Sequence, residues 1–300
     1  MFNLVVLGII ILLLLIISTS RSRLESVLIK KIKTYQDLIK EYESIPKTSG
    51  GIPKLIIKTS WQKLNNLSYQ VKDVLNIILR LNPDYRVYYF DDDDCDNFMK
   101  SYGLKEYLAY NKLVPGAYKA DLFRYCILYK YGGCYSDIGH VMLKSFDSII
   151  EDNKLVIVKD KPDSTYYGIH NALICVTPSN DFIKQLVDKS VENIENKYYG
   201  ENPLDITGPL MMGKVYQCYY YNYCNKEVNE KYLIKKEGIK ILELVLRTDE
   251  TEERNTIAYI ADNDIPVLKT KFNNYRDVMY NNVGKLHYTE SWYTKKVYIN

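Results

Sequence analysis

Residues 114–147, VPGAYKADLFRYCILYKYGGCYSDIGHVMLKSFD, constrain the chain more than any other stretch. They read as a helix, a glycine break and a short strand that ends on a carboxylate. Pro115 and Gly116 suit the first turn of a helix, where a missing N–H costs little. Ala120, Phe123, Ile127 and Tyr131 recur at helical spacing and are expected to face the core. Asp121 and Arg124 lie three apart and share a second stripe. Gly132 and Gly133 end the helix, because glycine takes a left-handed cap without a Cβ penalty. Residues 134–138 then read as a buried strand, with Tyr135, Asp137 and Gly139 on one face by alternation. Helix and strand thereby aim an acid, a guanidinium and a second acid at one point. Such a cluster suits a polar, hydroxyl-rich or phosphorylated ligand.

The flanks repeat the strand–helix rhythm. Residues 54–58, KLIIK, suit a first buried parallel strand, and Trp61 follows it. Val71, Val74, Leu75 and Ile78 mark a helix that ends at Asn82-Pro83, and residues 85–90 form a second strand. Asp91, Asp92, Asp93 and Asp94 come next. Four acids can hold a metal or cap the next helix, where carboxylates accept orphan N–H groups; capping is the preferred reading. Later strands are expected at 154–158, 171–176 and 240–246, a helix at 179–191 and a charged loop at 248–255. In such α/β chains ligands bind beyond the carboxyl ends of the strands.

The first 50 residues differ from the rest. Residues 4–17 are almost wholly apolar, which suits a membrane signal-anchor over residues 1–20. Residues 21–50 read as a polar stem helix and a Pro/Gly linker, leaving residues 51–300 as the globular domain. Arg21, Arg23, Lys30, Lys31 and Lys33 follow the apolar run, a bias that favours a cytosolic domain. With 47% hydrophobic and 26% charged residues a full core is expected. A net charge of +3 with no basic block argues against nucleic acid. The six cysteines include no C-x-x-C and read mostly as buried hydrophobes. Cys218 and Cys224 flank YYYNY and suit a local disulfide in an oxidising compartment.

The run A-Y-K-A-D-L-x-R-Y-x-x-L-Y-x-Y-G-G-x-Y-x-D resembles the family 32 glycosyltransferases, which carry a "DXD sugar-binding region". The resemblance implies an α/β fold of the GT-A type, a Rossmann-like nucleotide-sugar-binding fold with a mainly parallel central sheet. It implies a glycosyltransferase that moves a hexose from a GDP- or UDP-sugar to a glycan, glycoprotein or glycolipid hydroxyl, retaining configuration, in a Golgi- or ER-like membrane. It assigns Asp121 and Arg124 to the donor sugar, Asp137 to the ribose and metal, and Tyr135 to the same substrate face. Trp61 would lie against the base and Asn171 on the acceptor side. Residues 206–209 match a T-G-P turn that opens a helix near the site. The late LHYTESW places His287 near the metal, and Ser291 and Trp292 over the diphosphate.

The family pattern continues G-G-x-Y-x-D-x-D, and here Gly139 stands at the second Asp. Mn²⁺ or Mg²⁺ wants several hard oxygen ligands. Three outcomes follow. Asp137 and His287 hold the cation weakly, with water and diphosphate completing the set; Gly139 re-aims His140; or the protein works without metal or lacks activity. The first is preferred. The alternative function is a catalytically weak nucleotide-sugar- or glycan-binding protein of the same fold.

Overall fold

Short apolar runs become strands, and the amphipathic runs between them become helices. The computed structural model describes residues 30–160, 168–225, 227–234, 236–248, 256–280 and 287–299. The expected anchor at 4–17 and most of the expected loop at 248–255 lie outside the described residues. Among the described residues no helix is long and apolar enough to cross a membrane. In chain order come α1 (Tyr35–Glu41), β1 (Leu55–Thr59), α2 (Tyr69–Leu81), β2 (Arg86–Phe90), α3 (Asp92–Tyr102) and α4 (Leu104–Lys112). The central stretch gives α5 (Gly116–Tyr131), β3 (Gly133–Ser136), β4 (Val141–Met142) and α6 (Phe146–Ile150). Then follow β5 (Leu155–Lys159), β6 (Leu173–Val176), α7 (Asp181–Glu195), α8 (Pro209–Tyr221) and β7 (Ile239–Thr248). The described chain closes with β8 (Thr256–Asp262), β9 (Ile265–Lys269), α9 (Tyr275–Tyr280) and α10 (Tyr288–Tyr293).

These strands form one sheet in the order β2-β1-β3-β6-β5-β7-β8-β9-β4. β1 pairs in parallel with β2 and β3, and β5 with β7; the other pairings are antiparallel. So β1, β2, β3, β5, β7 and β9 point one way, and β4, β6 and β8 the other. The parallel leaning is as expected. The reversed β6 and the antiparallel run from β7 to β4 were not anticipated. The β8–β9 turn is Asn263-Asp264, both at positive φ, which suits a tight hairpin.

The sheet has a core on each face. One face packs α1, α3, α4, α5, α7 and α8 around Phe98, Phe123 and Tyr125. The other packs α2 and α6 around Val74, Ile78 and Phe146. α5 is buried on nearly every side, so its polar residues are enclosed too. Gly132 (φ +65) and Gly133 (φ +91) let it turn straight into β3. A Cβ on Gly132 would lie 2.6 Å from Pro178 N, and one on Gly133 2.6 Å from the Leu55 carbonyl. Only glycine satisfies both demands.

The acids after β2 cap a helix, as expected. Asp91 accepts from the N–H groups of Asp93 and Asp94, and Asp94 reaches back to complete a capping box. The expected stem and linker behave differently from a tether. Tyr35, Leu38 and Ile45 are buried in the core, and Lys33 forms a bridge with Tyr88 beside β2. A Cβ on Gly50 would stand 2.2 Å from the Asn153 carbonyl, so this segment is pressed onto the body. Cys218 and Cys224 are disulfide-bonded, and Cys95, Cys126, Cys134 and Cys175 are buried thiols.

Candidate active site

β1 and β3 run side by side in parallel, with Ile57 level with Tyr135. The next pair, Lys58 and Ser136, points to the opposite face of the sheet. Each face therefore carries its own polar group of residues at the carboxyl ends of these strands.

On the α5 face Arg124 sits between two acids. Its Nη2 lies 3.3 Å from Asp121 Oδ1 and 3.5 Å from Asp137 Oδ1. Its Nη1 donates to the Asn171 carbonyl at 2.7 Å, and its guanidinium lies 4.5 Å over the Tyr135 ring. The Tyr135 hydroxyl donates to Asp137 Oδ1 at 3.1 Å. Asp121 has both oxygens engaged: Asn171 Nδ2 donates to Oδ1 at 2.9 Å and Thr207 Oγ1 to Oδ2 at 2.8 Å. Tyr125 joins the bracket, accepting from Asn171 Nδ2 and donating to the Thr207 carbonyl. Burial pushes the Asp121 carboxyl up to about 6, against the pull of Arg124.

Exposure separates these residues. The Asp137 side chain is 38% exposed, Arg124 6% and Asp121 12%. Asp137 is thus the member that meets solvent, held by Arg124, which Asp121 holds in turn. Asp121 and Arg124, expected at the donor sugar, are both buried. Their enclosure follows from α5 being covered by the Thr207 turn and by Asn171. Tyr135 and Asn171 are buried supports of the same bracket.

On the other face the Lys58 side chain is fully buried and donates to Ser136 Oγ at 3.0 Å and to the Asp137 carbonyl at 2.8 Å. Burial lowers its ammonium to about 7, partly opposed by Asp137. Ser136 Oγ lies 3.0 Å from His140 Nδ1, and burial holds that imidazole well below its usual range. His140 is therefore turned into the body, not towards Asp137. Sequence reasoning missed this group; the one signal was a lysine closing an apolar strand.

The strand β3 stops at Ser136, two residues short of expectation. His140 N–H bonds to the Asp137 carbonyl, so residues 137–140 turn and the alternation breaks. Gly139 does not share the Asp137 face. It lies against Tyr275, where an added Cβ would be 2.7 Å from Cε2 and 3.2 Å from the Thr270 carbonyl.

The remaining expected residues sit outside the bracket. Trp61 is 42% exposed, and its indole N–H donates to the Met279 carbonyl at 3.3 Å. It is a rim residue, not part of the core. His287 caps α10, its Nδ1 accepting from Thr289 N–H at 3.4 Å. Burial and the positive charges of Arg276 and Lys271 hold it below its usual range. Ser291 is buried, and Trp292 donates to the Tyr199 carbonyl at 2.6 Å. The apolar groove lined by Leu104, Leu108 and Ile299 shares no residue with the bracket.

Residues 68–156 match the family described as "Glycosyltransferase sugar-binding region containing DXD motif". The chain is similar to the initiation-specific alpha-1,6-mannosyltransferase of Candida albicans, 35% identical over 29% of this chain and 24% of that one. It is also similar to a mannosyl phosphorylinositol ceramide synthase of Saccharomyces cerevisiae, 27% identical over 59% of this chain and 45% of that one. In both cases less than half of the relative's length is covered. Among solved structures it is similar to the PaToxG glycosyltransferase, with a TM-score of 0.48 and 18% identity over 72% of this chain and 83% of that one. The family match spans residues 114–137, so the resemblance read there stands.

DXD-type glycosyltransferases generally use a divalent cation. The residues present do not fit a two-carboxylate site for one. Asp137 is the single acid of the motif, Gly139 is blocked by Tyr275, and no group of three or more His, Cys, Asp or Glu side chains converges among the described residues.

Proposed function

We propose that the chain transfers a hexose from a GDP- or UDP-sugar to a hydroxyl of a glycan or lipid, with retention of configuration. The observation that carries this reading is the bracket itself. Arg124, itself paired with Asp121, holds Asp137 at the carboxyl end of β3 beside parallel β1, and Trp61 follows β1 with its ring exposed. Relatives named as mannosyltransferases, one for inositol phosphoceramide in Schizosaccharomyces pombe, favour a mannosyl donor and a lipid or glycan acceptor.

The chemistry needs little more. The bond from sugar C1 to the diphosphate oxygen breaks, and its electron pair leaves on that oxygen. The acceptor oxygen bonds to C1, and its proton passes to the departing phosphate oxygen. Positive charge grows on the sugar, and Asp137 offers a carboxylate to that charge. Arg124 and Tyr135 keep one of its oxygens fixed. No step of this reading runs through a cation. The apolar run at 4–17 is taken as a single-pass anchor that brings the enzyme to a membrane carrying its acceptor.

Full-length protein assayed against GDP- and UDP-hexoses tests the proposal. Release of nucleoside diphosphate from one donor, lost in Asp137→Ala while the fold is kept, is the expected result. Donor binding without any turnover would replace it with the binding-protein reading, which Gly139 beneath Tyr275 favours.

A further inference from the structure

The segment from Thr270 to Met279 touches both ends of the site. Tyr275 lies on Gly139, where the second acid of the motif would stand, and the Met279 carbonyl accepts from Trp61. Between and beside these anchors stand two cations, Lys271 and Arg276, both exposed. Lys271 Nζ is 5.6 Å from the centre of the Tyr275 ring, and both charges bear on His287. A nucleoside diphosphate laid from Trp61 to the 137–140 turn would run along this segment.

The room at position 139 is decisive. A carboxylate there would have to displace the Tyr275 ring and would still crowd a backbone oxygen, that of Thr270. Asp137 alone offers one or two oxygens, against about six for an octahedral cation site. A guanidinium and an ammonium are the usual protein answer to phosphate charge where no metal is held.

We propose that Lys271 and Arg276 bind the donor's diphosphate without a protein-held divalent cation, and that Tyr275 fills the place of the missing carboxylate. This rests on the nucleotide-sugar reading above and specifies how that site meets the leaving-group charge.

Calorimetric titration of the full chain with UDP and with GDP, in EDTA and in Mn²⁺, tests it. The expected result is that one nucleotide binds with a Kd that differs by less than about threefold between the two buffers. Lys271→Ala and Arg276→Ala should each raise Kd about tenfold or more, the loss of one charge-assisted contact, and flatten its salt dependence. Gly139→Asp paired with Tyr275→Ala should gain a Mn²⁺ dependence that the parent chain lacks. A Kd that collapses in EDTA and recovers in Mn²⁺ overturns the inference while leaving the donor reading intact. So does a Kd that ignores both cation variants while Trp61→Ala weakens it. Binding of neither nucleotide in either buffer overturns both.

Discussion

The bracket around Asp137 and the rim that carries Trp61 differ in how they are held. In the bracket almost every polar atom has a protein partner, and Asp121, Arg124, Tyr125, Tyr135 and Asn171 are buried. At the rim Trp61 stands 42% exposed on a single hydrogen bond to Met279, and Lys271 and Arg276 lie at the surface. The first region is fixed before any ligand arrives; the second can adjust to one. Pre-organised charge at the reacting centre with an adaptable grip on the remote part of the substrate is a sound division for catalysis. Substitutions of the buried bracket residues should therefore cost fold stability as well as activity, and rim substitutions binding alone.

The sharpest break is Arg124→Ala. It leaves the Asp121 carboxylate buried without its cation, and removing one partner of a buried pair costs about 3–5 kcal/mol. Urea denaturation should show that loss, together with lost turnover. A stability within about 1 kcal/mol of the parent would mean that the bracket is not structural. The next test concerns Lys58 on the opposite face. Its folded-state value of about 7 lies below the ordinary 10.5, so the unfolded chain holds a proton there that the folded chain has shed. Stability contributed this way rises with pH from about 7 towards the ordinary lysine range, by up to about 1.4 kcal/mol per pH unit. Lys58→Met should lose that slope; parallel stability–pH curves for the two proteins would refute the assignment. The smallest effect belongs to the rim. Trp61→Ala should weaken nucleotide binding about tenfold, roughly one stacking contact, with Tm unchanged. A fall in Tm would move Trp61 from the rim into the fold.

Legibility followed sequence distance. The α5–β3 unit could be read because its signals are local: a helical stripe, two glycines and an acid within residues 116–137. The Asp91 cap was readable for the same reason. Asp121 and Arg124 were found as a pair, but their enclosure was not. It depends on Asn171 and on Thr207, 86 positions from Asp121, and only tertiary packing brings them together. The packing of Tyr275 onto Gly139 is longer in range still, and a glycine in a motif says nothing about what covers it. The β8–β9 hairpin escaped because β8, TIAYIAD, carries small and apolar residues on both faces, which blurs the period-two signal. The stem and linker expected over residues 21–50 were harder to read for a different reason. Polar composition describes the outer side of α1, while Tyr35 and Leu38 within that helix, and Ile45 beyond it, turn inward.

The bond between Cys218 and Cys224 has a use beyond the fold. It closes a span of only six residues at the end of α8, and the four other thiols are buried. A thiol pool poised like the cytosol would open such a bond, whereas an oxidising lumen would leave it closed. Alkylation of the folded protein straight from cells would thus take up label at this pair or at nothing. The chain carries its own record of the compartment in which it folded, written in two sulfurs, and that record can be read without knowing the donor or the acceptor.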